Sequence, residues 1–76
     1  MTETDNLIAE VGRALYGERW QTNMSRDLDV ADRTVRRWAA GTEHPRSGVY
    51  VDLMRLCLER AQMLDDLAAR LKAMGA

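Results

Sequence analysis

From Val49 to Met74 the chain runs for about 26 residues without a proline or a glycine. A breaker-free run of that length predicts a helix, roughly 39 Å long at 1.5 Å per residue. No three-helix core that the remaining residues could build is that long. The far end of this helix must therefore project, bend or find a partner, and everything before it has to fold as a small unit at its near end. With 76 residues, five glycines and one proline, the chain predicts a single all-α domain over 1–76: four to five helices with a long C-terminal helix at about 48–75.

Shorter apolar periods precede that helix. Leu7, Ile8, Val11 and Leu15 share one face of a helix from about Asp5 to Tyr16, with Thr4 or Thr2 available as a cap and Gly17 to close it. Trp20, Met24 and Leu28 recur every four residues and predict a second helix ending at Leu28. Asp29 interrupts it and Val30 follows as an apolar plug. Asp32 can then cap a third helix that ends near Ala40, before Gly41. In TEHPRSG, Pro45 lacks a donor and lies between Gly41 and Gly48, so that segment reads as a loop.

Charge singles out the third helix. The net charge is only −1, yet residues 19–46 carry six arginines against four acids, while residues 1–18 carry one arginine against four acids. Within DRTVRRWAAG, Val35, Trp38 and Ala39 fall at i, i+3 and i+4 and point one way. Arg33, Arg36, Arg37 and Ala40 point the other. One face is suited to a core and the other to anions. Trp20 and Trp38 lie on the apolar sides of their helices, which assigns them to packing rather than to base stacking.

The spacing of WQTNMSRDLDVADRTVRRWAAG, Trp20 to Gly41, meets each demand of two helices crossing at a steep angle. Ser25 is the small residue at the crossing, Asp29 the turn residue, and Val35 and Trp38 the anchors. On these residues the chain resembles the helix-turn-helix DNA-binding family, in particular the small Cro- and lambda-repressor-like regulators of phage and bacteria. That group extends to antitoxins and anti-CRISPR-associated autorepressors. The family prefers Ala where this chain has Ser25, Gly where it has Asp29, and a capping Ser where it has Ala31. A serine at the crossing has a hydroxyl to satisfy, for which a helix carbonyl is at hand.

The resemblance implies roles for particular residues. Arg33, Arg36 and Arg37 would enter the major groove, where a guanidinium donates two hydrogen bonds to guanine O6 and N7. Asp32 can accept from a cytosine amino group, or cap the helix and orient Arg36. Gln21, Thr22 and Thr34, near helix N-termini, suit phosphate contacts, with Arg19, Arg26 and Arg46 adding charge at the edges. The implied partners are double-stranded DNA and a second copy of the chain, with no cofactor and no small-molecule effector.

In the last helix a heptad frame places Tyr50, Cys57, Leu64 and Leu71 at one seam position and Leu53, Arg60, Leu67 and Met74 at the other. The first half of the stripe is expected to cover the other helices. The second half, Leu64, Leu67, Leu71 and Met74, is expected to form a homodimer interface. One cysteine and one histidine offer no metal-ligand cluster, and no nucleophile has an adjacent base, so neither a metal site nor an enzyme is expected. With no apolar run long enough for a membrane and an acidic beginning, the expected location is the cytoplasm. The functional expectation is a homodimeric repressor on a palindromic promoter site. The alternative is a helical protein-interaction module, of antitoxin or adaptor type, acting through the last helix.

Overall fold

Each apolar period in the sequence is a helix in the computed structural model, which describes residues 3–75, with side chains from Leu7 onward. The helices are α1 (Glu3–Tyr16), α2 (Trp20–Leu28), α3 (Asp32–Ala40) and α4 (Ser47–Gly75). Among the described residues there is no strand. α1 begins two residues before Asp5, so Thr4 lies inside the helix and is not its cap, while Thr2 lies outside the described residues.

Ile8, Trp20, Met24, Val35, Trp38 and Leu53 form one buried cluster drawn from all four helices. Leu28 and Val30 pack against it half-buried, as do Val49, Tyr50 and Leu56 of α4. Leu7 departs from expectation. It stays 47% exposed, in an open groove between α1 and α4. Gly12 is the residue that lets α1 and α2 approach: any Cβ there would overlap the Trp20 indole. A helix-interior glycine costs about 1 kcal/mol in propensity, and burial of a whole tryptophan outweighs that cost.

α1 ends at Gly17, whose φ of 82° takes the left-handed conformation that closes the helix. Its amide donates to the Arg13 carbonyl at 2.9 Å. One turn-end carbonyl, that of Leu15, is satisfied from far along the chain: Arg60 Nη1 donates to it at 2.8 Å. Arg60, a polar residue at a seam position, is thus half-buried as a cap on α1 and joins α1 to α4. Tyr16 Oη donates to Asp27 Oδ2 at 2.6 Å and ties the end of α1 to α2. Partial burial, then the hydrogen bond and charge of Asp27, hold the Tyr16 phenol above its ordinary pKa.

The 29 residues of α4 form one continuous helix, about 43 Å long at 1.5 Å per residue. The molecule extends over 50 × 21 × 20 Å. Up to Arg60 the helix packs on the core; from Ala61 to Gly75 every residue is exposed. Leu64 (55%), Leu67 (41%), Leu71 (71%) and Met74 (85%) face solvent in the single chain.

Candidate nucleic-acid interface

α2 ends in a Schellman closure. The Val30 amide donates to the Ser25 carbonyl at 3.0 Å and the Asp29 amide to that of Arg26 at 3.3 Å. Between them Asp29 sits at φ 56°, ψ 48°, the left-handed conformation that favours glycine and that Asp adopts more readily than most residues. α3 ends in the same way. Gly41 at φ 80° lets its own amide and that of Thr42 reach the Trp38 and Arg37 carbonyls. The two closures set the length of both the turn and the second helix of the pair.

The start of α3 corrects one expectation. Ala31, at φ −68° and ψ 145°, is the N-cap. Its carbonyl accepts from the Thr34 and Val35 amides, and no side chain caps the helix. Asp32 is the first residue of the helix, where its charge still favours the N-terminal end of the dipole. It turns toward α2 rather than toward Arg36: Ser25 Oγ lies 3.0 Å from Asp32 Oδ1 and 2.7 Å from the Thr22 carbonyl. One hydroxyl proton serves both acceptors, so the buried Ser25 is satisfied by a helix carbonyl and also pins α3 to α2.

Val35 and Trp38 are buried and Ala39 is half-buried, so α3 is held by one face. Arg33, Arg36 and Arg37 are all exposed on the opposite face. Arg37 Nη1 is 3.9 Å from Glu43 Oε1, with both side chains about half exposed. A surface pair of that length contributes at most about 1 kcal/mol, which a phosphate or base can replace. Sequence reasoning missed Glu43. Its place just past the C-terminus of α3, level with the last arginine, was the available signal.

Arg19, Gln21, Thr22 and Arg26 line one concave surface that runs along α2 from its start to Arg26 in its last turn, together with Glu18 and Asn23. No acidic residue occupies the first turn of α2, and its N-cap, Arg19, makes no side-chain cap bond. The helix therefore presents its positive end there. Thr34 is half-buried on the flank of α3. Arg46 is exposed in the loop before α4, and its carbonyl accepts the Val49 amide at 2.9 Å. The structure thus gathers four of the six expected phosphate contacts around α2 and leaves Thr34 and Arg46 apart from them.

Comparison with known protein families, curated proteins and solved structures gives no match to this chain. Among the described residues no helix is long and apolar enough to cross a membrane.

Proposed function

We propose that this protein is a sequence-specific regulator of transcription that binds double-stranded DNA through α3 in the major groove and acts as a homodimeric repressor. The observation that carries this reading is the display of Arg33, Arg36 and Arg37 on the free face of α3, a helix anchored by Val35 and Trp38 and placed by the Asp29 turn. Guanidinium groups projecting from a rigid helix match the guanine edge, and the positive end of α2 beside Arg19, Gln21 and Thr22, with the charge of Arg26 further along the same surface, suits a phosphate that fixes register. The net charge of −1 does not oppose this, because the local field at the reading surface governs encounter.

Two copies supply the affinity that one set of phosphate contacts lacks. The exposed stripe Leu64, Leu67, Leu71 and Met74 is the surface that suits the pairing. The same stripe also favours a second reading, a helical interaction module in which α3 is only scaffold. Selection of bound duplexes from a random pool, repeated at two salt concentrations, separates them. A recovered palindrome whose binding weakens steeply with salt supports the regulator, and failure to enrich any sequence refutes it.

A further inference from the structure

The apolar face of α4 is continuous, but the chain covers only its first half. Leu53 and Arg60 turn toward α1, and the same face continues through Leu64, Leu67, Leu71 and Met74, which no described residue covers. α1 in turn has an uncovered flank. Leu7, Val11, Tyr50, Met54 and Cys57 line an almost wholly apolar groove between α1 and α4, with Leu7 47% and Met54 56% exposed. Along that side of α4, positions 50, 54, 57, 61, 64, 68 and 71 recur at alternate spacings of four and three, the period of a helix–helix seam. Their residues are Tyr, Met, Cys, Ala, Leu, Ala and Leu.

We propose that two copies pair antiparallel along the full length of α4, so that the distal half of each helix lies in the α1–α4 groove of the other. This deepens the dimer part of the proposed function. Full overlap of Ser47–Gly75 places the middle residue, Ala61, opposite its own copy. Ala68 and Leu71 then come level with Met54 and Val51 of the partner subunit. Small residues at 61 and 68 let the backbones approach. A two-fold axis between antiparallel helices keeps both heads on the same side of the helix pair. The face bearing Leu67, Leu71 and Met74 is therefore turned to the partner's α1, at Leu7 and Val11, just as the proximal half is turned to its own α1. Each subunit completes the other's groove, and both α3 helices belong to heads on one side of the dimer.

Interface size favours this register over pairing through the free ends alone. A helix is about 10 Å wide. Overlap of residues 61–75 alone spans roughly 22 Å, a strip of about 220 Å² in projection, whereas full overlap spans about 43 Å and about 430 Å² before any contact with α1 is added. A stable interface removes about 800 Å² of accessible surface per partner, and only the longer overlap comes within a factor of two of that.

Cysteine cross-linking reads the register directly, since a disulfide needs Cα atoms about 4.4–6.8 Å apart. In a Cys57→Ser background, Ala61→Cys is expected to form a disulfide-linked dimer under mild oxidation, while Ala68→Cys is not. Cross-linking through Ala68→Cys alone would mean pairing through the free ends, and cross-linking through both would mean a parallel pair; either outcome overturns the inference while leaving a DNA-binding dimer standing. Cross-linking through neither overturns it as well, and sedimentation of the unmodified chain then shows whether any dimer exists. Leu7→Glu supplies an independent reading. It is expected to weaken self-association at least tenfold, and an unchanged dissociation constant would remove α1 from the interface.

Discussion

Gly12→Ala tests the contact that positions the whole helix-turn-helix. Taken alone, replacing a helix-interior glycine by alanine stabilises by about 1 kcal/mol. Here the added methyl has no space, because it would fall within the Trp20 ring, and Trp20 is buried at the centre of the core. Forcing the indole aside is overpacking, which costs about 1–3 kcal/mol. The upper bound is loss of the tryptophan's packing altogether, about 3–5 kcal/mol. Setting the propensity gain against these costs leaves a net destabilisation of about 0–2 kcal/mol where the indole shifts and about 2–4 kcal/mol where its packing is lost. A domain of this size has only roughly 4–11 kcal/mol in total. At about 4–8 °C per kcal/mol, a net loss of about 2 kcal/mol should lower the melting temperature by roughly 8–16 °C.

Thermal unfolding followed by circular dichroism at fixed protein concentration measures this, since a dimer's midpoint depends on concentration. Gly48→Ala is the control. Its Cβ meets nothing within 4 Å, so the same substitution there should be neutral or stabilising by up to about 1 kcal/mol. Trimming the indole should relieve the clash, so Gly12→Ala combined with Trp20→Leu should cost less than the sum of the two. A Gly12→Ala protein that melts higher than the parent would refute the contact, and with it this account of how α2 and α3 are placed.

The arginine face should be uneven: Arg33→Ala, Arg36→Ala and Arg37→Ala each lose about 1–3 kcal/mol where the residue reads a base, with relaxed preference at one position. A phosphate contact instead weakens all duplexes alike and lowers the salt slope by about 1, as titration of matched and mismatched duplexes will show. Asp29→Gly should raise the denaturation midpoint by a few tenths to about 1 kcal/mol, because φ 56° is strained for a residue with a Cβ; a lower midpoint would contradict that. Tyr16 has a raised pKa in the fold, so its contribution is intact below the unfolded value of about 10 and is lost as pH rises beyond it. Stability measured from pH 8 to 11 should therefore fall less steeply in Tyr16→Phe than in the parent, and parallel curves would exclude the Tyr16–Asp27 bond as the cause.

What could be read from the sequence was whatever one helix determines by itself. The buried and exposed faces of α3 follow from a 3.6-residue period within nine residues, and the left-handed Asp29 stands at the turn position where the helix-turn-helix pattern that the chain resembles prefers glycine. Even the second acceptor of Ser25, Asp32, lies only seven residues away. The errors lie where a local preference of about 1 kcal/mol meets a tertiary contact. Asp32 is the better N-cap residue by type. The turn nevertheless places Ala31 in the extended conformation a cap needs, and Asp32 goes to Ser25 instead. Leu7 shares the apolar period of α1, yet period alone cannot say how far round the helix the neighbours reach.

The residues whose partners lie far along the chain were legible only as exceptions. Gly12 reads as a weak point in α1 until Trp20 is seen against it. Arg60 reads as a charge spoiling an apolar seam until the Leu15 carbonyl, 45 residues away, is seen to need a donor. Both exceptions mark the places where separate helices are joined. By the same reasoning the unbroken apolar seam beyond Arg60 has no such exception among the described residues: it makes no contact there like that of Arg60 with a distant carbonyl or of Gly12 with a ring. A seam that is regular, exposed and free of such joints has the properties of an interface with another helix, and the antiparallel pairing supplies one whose own groove is open at the matching level.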